Sequence, residues 1–216
     1  RGMFRFRKFL PLLADEAPVT LGEGDTPLLE LQRTGQELGF TDLWLKDEGA
    51  NPTGSYKSRG MAMAVTRAVA GGARSFVVPT AGNAGVALAA YAARAGVHAQ
   101  VYAPVSTPPT LLAQIRLFGA DLELLDGHIG DCGAAALDYA RSTGAFPMST
   151  LREPYRIEGK KTLGLELVRQ LGWKFPDAIL YPAGGGTGLI GMWLAFAELL
   201  RAGWVTGSLP RLYAIQ

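Results

Sequence analysis

An α/β fold built on parallel sheets is what this sequence predicts, and three observations carry the prediction. From Ser75 onward, short β-rich runs alternate with longer helical patterns. Several of the helical patterns close on a glycine, at Gly96, Gly119 and Gly172. The spacing leaves a helix between successive strands, which is the crossover that parallel strands require and that is almost always right-handed.

The elements follow in order. Arg5, Arg7 and Lys8 interleave with Phe4, Phe6 and Phe9, and this stretch reads as a strand or arm packing on the body. It is not a secretory leader, because the apolar run Phe9 to Leu13 is short and contains Pro11. Asp15 and Glu16 read as a solvated turn. Met61 to Ala70 is an Ala/Met-rich helical pattern. Ser75 to Val78 reads as a strand, Asn83 to Ala95 as a helix, and Ala99 to Ala103 as a strand. Pro108 to Phe118 reads as a helix with Pro in its first turn and Leu111, Ile115 and Phe118 on one face. Leu122 to Leu125 is a strand and Cys132 to Arg141 a helix. Glu158 to Leu171 is a helix with Leu163, Leu167 and Leu171 in one stripe. After the strand Ala178 to Tyr181 comes the clearest amphipathic helix, in which Leu189, Met192, Trp193, Phe196, Leu199 and Leu200 share a face. Leu212 to Ile215 reads as a last strand. The chain begins at Arg1 rather than Met and stops just after that strand, so it is expected to be part of a longer protein.

Composition excludes several classes. With 21 basic and 19 acidic residues the net charge is +2, which leaves no footprint for a nucleic-acid or membrane partner. Arg94 and His98 interrupt the most alanine-rich region, so no run reaches the ~18 apolar residues that cross a bilayer. A soluble, cytoplasmic protein is expected. Cys132 is the single cysteine and reads as a small buried hydrophobe. His98 and His128, the only histidines, sit in no metal-ligand spacing and are assigned to structure or surface; no metal site is expected.

Three junctions carry the functional argument. The first is Asn51-Pro52-Thr53-Gly54-Ser55-Tyr56-Lys57-Ser58-Arg59-Gly60. It sets Lys57 at a helix start, where the dipole disfavours a cation by roughly 0.3–1 kcal/mol. A neutral amine is the form that condenses with an aldehyde. The second is Pro79-Thr80-Ala81-Gly82-Asn83-Ala84-Gly85, where free first-turn N–H groups favour a carboxylate and Asn83 adds a neutral amide. The third is Pro182-Ala183-Gly184-Gly185-Gly186-Thr187-Gly188, four glycines in five residues before a helix, a composition suited to cradling a phosphate. It matches neither the dinucleotide fingerprint nor a Walker loop, which argues against a nucleotide-binding protein.

In this order the junctions resemble the fold type II pyridoxal-phosphate enzymes, and among them the threonine synthase family. Leu21-Gly22-Glu23-Gly24-Asp25-Thr26-Pro27-Leu28 resembles that family's entry motif. So do Lys46-Asp47-Glu48 before Asn51 to Lys57, and Pro154-Tyr155-Arg156-Ile157-Glu158-Gly159-Lys160-Lys161-Thr162. The resemblance runs from about Leu21 to Gln216. It implies two three-layer αβα parallel-sheet domains of the tryptophan synthase β-subunit type. Residues 59–153 would be a smaller mobile domain, and 1–58 with 154–216 a partial larger one. The cofactor implied is pyridoxal 5'-phosphate, held by Lys57 as a Schiff base. Asn83 would contact the ring 3'-oxygen, and Gly184, Gly185, Gly186, Thr187 and Gly188 the phosphate. Thr80, Ala81 and Gly82 would bind the substrate carboxylate, and Arg156 and Lys160 are assigned to a phosphate on the substrate. The Ser or Thr facing the pyridine nitrogen would lie beyond Gln216. The reaction implied converts O-phospho-L-homoserine and water to L-threonine and phosphate, by a homodimer when full length. Two rivals stand beside it: an ammonia-lyase acting on serine, threonine or a diamino acid, and an inactive fragment serving as a binding or folding module.

Overall fold

The computed structural model describes residues 2–216. Four parallel strands form the main sheet: β3 (Ser75–Pro79), β4 (His98–Pro104), β5 (Asp121–Leu125) and β6 (Phe146–Pro147), in the order β5-β4-β3-β6. The earlier strands β1 (Leu28–Glu30) and β2 (Trp44–Lys46) pair antiparallel around the short helix α1 (Gln32–Leu38). The later strands β7 (Ala178–Pro182) and β8 (Arg211–Ile215) pair parallel, with Ala178 opposite Arg211.

Alternation along β3 and β4 divides the interior into layers, since successive side chains of a strand point to opposite faces. Phe76, Val78 and Val101 join a core built from α2 (Lys57–Ala70), α3 (Asn83–Ala95) and α4 (Pro109–Leu117). Val77 and Tyr102 face the other way, onto Cys132 and Ala136 of α5 (Ile129–Thr143). A separate core joins α6 (Tyr155–Gln170), α7 (Thr187–Arg201) and Tyr181 of β7. The expected alternation of strands and helices is therefore observed, with boundaries shifted by at most four residues. Cys132 is buried as expected. His98 pairs with Asp121 at the surface, and His128 caps α5.

The N-terminal segment differs from expectation. Gly2–Phe9 forms 3-10 turns rather than a strand. Met3 packs into the first core and Phe6 into the second, so the arm staples the two together. Glu16 is not solvated: its carboxylate accepts from Arg67 Nη1 on α2 and from the Leu13 N–H. No helix is long and apolar enough to cross a membrane among the described residues.

Helix α6 is central, flanked by α2 and α7. The crossings are set by glycines. A Cβ on Gly159 would lie 2.2 Å from the Arg59 carbonyl oxygen, and one on Gly191 would lie 2.9 Å from the Lys161 nitrogen. Backbones this close admit no side chain between them, and the approach draws the first turns of all three helices together.

Candidate active site

Three helix N-termini meet at one point: Lys57 opens α2, Tyr155 opens α6 and Thr187 opens α7. Each start presents the positive end of a dipole, which favours an anion; the Thr187 and Gly188 N–H groups of α7 are free among the described residues, whereas on α6 the Arg156 N–H donates to Glu153 Oε2 and those of Ile157 and Glu158 to the Pro154 carbonyl.

The side chains there add to that field. Lys57 Nζ donates to the Tyr56 hydroxyl and lies 3.8 Å from the centroid of that ring. Lys160 Nζ lies 5.0 Å from the same ring and donates to Thr187 Oγ1. Lys160 is only 4% exposed. Burial, with repulsion from Lys57 and Arg156, brings its amine down to about 7. Arg156 is 7% exposed; its Nε donates to Glu153 Oε1 at 2.6 Å, while its Nη2 is buried without a partner among the described residues. Burial pushes the Glu153 carboxyl up by more than Arg156 draws it down. Three cations thus face one carboxylate.

The glycine loop lies between β7 and α7. Gly186 occupies the left-handed region at φ 70° and caps α7. The N–H groups of Gly184 to Gly188 make no hydrogen bond among the described residues, whereas the preceding Ala183 N–H is tied to Ile215 O at 2.8 Å. Gly188 has a different reason for being glycine: a Cβ there would lie 1.9 Å from the Tyr181 hydroxyl oxygen. That hydroxyl is buried without a hydrogen-bond partner, and its ring meets Tyr56 edge-on at 5.8 Å. A Cβ on Gly185 would approach Thr150, just beyond β6, at 3.2 Å, so the loop faces the carboxyl end of the main sheet. That is where ligands of open α/β sheets bind.

At the end of β3, the Thr80 hydroxyl accepts from the N–H groups of Gly82 at 3.0 Å and Gly85 at 3.2 Å. The hydroxyl is thereby committed to shaping the turn. The N–H groups of Ala81 and Asn83 have no partner among the described residues, and both residues are exposed. A carboxylate bound here would meet the backbone rather than Thr80.

The family model described as pyridoxal-phosphate dependent enzyme matches residues 19–216. The chain belongs to that family. Curated relatives of the pyridoxal-phosphate family similar to this chain include the threonine synthase of Mycobacterium tuberculosis, 40% identical over 98% of this chain and 58% of its own length. The threonine synthase of Methanocaldococcus jannaschii is 34% identical over 100% of this chain and 53% of its own. The chain therefore spans about half the length of the curated relatives it matches. Among solved structures, a fungal L-serine ammonia-lyase from Rhizomucor miehei superposes with a TM-score of 0.77 at 29% identity, covering 88% of this chain and 58% of that one. A pyridoxal 5'-phosphate-dependent aspartate racemase superposes with a TM-score of 0.78 at 25% identity, covering 88% of this chain and 56% of that one. The fold is that of the fold type II pyridoxal-phosphate enzymes. The residues present fit the family's cofactor: a primary amine at a helix start, a loop with free N–H groups for a phosphate, and the buried Lys160 amine, bonded to Thr187 in that loop and to no carboxylate among the described residues.

Sequence reasoning overlooked Tyr56, Glu153 and Tyr181. It also overlooked a buried ion network deeper along α6. Glu166, fully buried, accepts from Lys46 Nζ at 2.6 Å and from Arg59 Nη1 and Nη2 at 3.1 Å. Arg59 in turn donates twice to Glu48 at 2.7 Å. Arg59 lies two residues after Lys57, so this network anchors the turn that carries the amine. The available signal was Glu166 itself, a carboxylate one residue from the buried Leu165 and Leu167.

Proposed function

We propose that this chain carries part of the active site of a pyridoxal-phosphate-dependent carbon–oxygen lyase of the threonine synthase type. The observation that supports it best is the meeting of the Lys57 amine, the buried Lys160 ammonium and the glycine loop. In this reading Lys57 holds the cofactor, Asn83 faces its ring oxygen, and Gly184, Gly185, Gly186, Thr187 and Gly188 hold its phosphate. Thr80, Ala81 and Gly82 form the turn that receives the substrate carboxylate, through the free N–H groups beside it. The bound cofactor supplies an electron sink for the charge that develops at the substrate Cα. The Lys57 amine takes the Cα proton as general base, and the Tyr56 hydroxyl orients that amine. The Arg156 guanidinium, with its free Nη2, receives a second anion, the phosphate of O-phospho-L-homoserine. The products are then L-threonine and phosphate. Residues 59–153 act as the mobile unit, and the full-length protein is a homodimer.

The test is incubation with pyridoxal phosphate, borohydride reduction and peptide mapping. Fixation on Lys57, abolished in Lys57→Ala, is the expected result; no fixation at Lys57 would remove the reading in favour of an inactive binding module. In the full-length protein, Arg156→Ala should raise KM for the phosphorylated substrate, and an unchanged KM would remove Arg156 from the site. The similarity to a serine ammonia-lyase supports a second reading on the same residues. Release of phosphate from a phosphorylated substrate favours the first, and formation of a 2-oxo acid from serine or threonine the second.

A further inference from the structure

Lys160 is a buried cation without a counter-ion. No carboxylate lies within ion-pair distance of it among the described residues. The groups that face it are Lys57 and Tyr56 from the start of α2, Arg156 from its own helix, and Glu153 from the turn before α6. Helix α7 contributes only the Thr187 hydroxyl. Its neighbour Lys161 shows the contrast, since that amine is paired with both Glu158 and Glu198. An unpaired amine in a dry site destabilises the fold whether it stays charged or gives up its proton, and an anion arriving from outside offsets that.

We propose that Lys160 is the counter-ion of the phosphate group held by the loop Gly184–Gly188, rather than a contact of a phosphate carried by the substrate. The inference rests on the reading of that loop given above. It divides the pair Arg156 and Lys160 between two anions. Lys160 touches Thr187 inside the loop, whereas Arg156 is engaged by Glu153 and keeps its free Nη2 for another ligand. The ligand class for Lys160 is a phosphate monoester dianion.

A dependence on pH follows. The dianion binds the charged ammonium. With the free amine brought down to about 7, binding above that pH must take up a proton. Affinity then falls about tenfold per pH unit as pH rises. The second ionisation of a phosphate monoester lies near ~6 and that of inorganic phosphate roughly one unit higher, so the clean window for inorganic phosphate runs from about pH 8 to about pH 9.

The experiment is calorimetric titration of the whole chain with inorganic phosphate across that window, for the wild type, Lys160→Met and Lys160→Gln. Melting temperatures are taken without ligand. Capture of pyridoxal, which lacks the phosphate, is mapped on Lys57. Both variants should bind phosphate about 10- to 100-fold more weakly at the low end of the window and show a flatter pH slope. Ligand-free Lys160→Met should melt higher than the wild type, because a buried amine without a counter-ion is gone. Pyridoxal should still be captured at Lys57 in both variants. Variants that keep the wild-type affinity and slope would overturn the proposal, as would a lower melting temperature with phosphate binding intact. If phosphate binding depends on Lys160 but pyridoxal phosphate is never captured at Lys57, this inference stands and the proposed function fails. If the wild type binds no phosphate, the loop reading and this inference fail together.

Discussion

Helix α6 carries two buried polar clusters, and they are built on opposite principles. Around Glu166, two cations, Lys46 and Arg59, meet two carboxylates, Glu48 and Glu166. The same two oxygens of Glu166 also accept from the N–H groups of Asp25 at 2.8 Å and Thr26 at 2.9 Å. Six residues toward the N-terminus, a rise of about 9 Å, three cations face the single carboxylate of Glu153. There Arg156 Nη2 and the Tyr181 hydroxyl have no partners. Both clusters have buried charges at their centres, Glu166 and Arg59 in one, Lys160 and Arg156 in the other, so burial does not separate them; completeness does. A closed network fixes α2 against α6, whereas an open one is completed by a ligand.

The largest effect is expected at the closed network. Glu166→Gln leaves Arg59 and Lys46 sharing one carboxylate, and should lower the unfolding free energy by about 3–5 kcal/mol. Urea titration at neutral pH measures it. A loss below about 1 kcal/mol, the range of exposed pairs, would mean that the network is not the anchor described. This is the opposite sign from Lys160→Met at the open end.

Acid probes the same carboxylate. Arg59 and Lys46 hold Glu166 at about 2, below its ordinary value of 4.5. Between those values the unfolded chain binds a proton that the folded chain does not. The contribution is therefore complete above pH 4.5 and is lost as pH falls toward 2. Urea midpoints should drop across that window in the wild type, and drop less in Glu166→Gln. Equal slopes would assign the acid sensitivity to other carboxylates.

A smaller effect is expected within the glycine loop. Gly188→Ala drives a Cβ into the Tyr181 hydroxyl and should cost about 1–3 kcal/mol and weaken phosphate binding. A Cβ on Gly184 would meet nothing within 4 Å. Gly184→Ala should therefore change stability by under about 1 kcal/mol. Equal costs would show that the loop is uniformly tight. The smallest change should come from the exposed pair Arg33–Glu37, at 3.1 Å across one helical turn. Glu37→Ala should cost about 0.3–0.5 kcal/mol and leave phosphate binding untouched.

Much of this fold was legible where a pattern repeats over ten or more residues. The stripe Leu189, Met192, Phe196, Leu199 identifies α7, and the run Ser75 to Val78 identifies β3. The pair β1 and β2, with three residues each, and β6, with two, are too short to show a period. Helix α1 reads Gln-Arg-Thr-Gly-Gln-Glu-Leu and has no apolar stripe to show. At the site, Lys57 and the loop Gly184–Gly188 were legible because their composition is odd for a helix start. Thr80 was legible as a turn residue, although its hydroxyl proves to bond Gly82 and Gly85. Tyr181 was not, since nothing in a strand reading distinguishes a tyrosine that packs from one whose hydroxyl ends at a glycine.

The sequence by itself determined the longer elements, their parallel connections and the residue types at each strand-to-helix junction. These depend on local forces: periodic burial, turn conformation and the unsatisfied groups at helix ends. Tertiary structure alone decided which charges are answered. Arg59 meets Glu166 across 107 residues, and Lys160 meets Thr187 across 27. Only where α2, α6 and α7 cross at their glycines does one cluster of charges close on itself while the other is left with cations to spare. Charge balance in a dry interior is a property of positions in space, and chain spacing does not encode it.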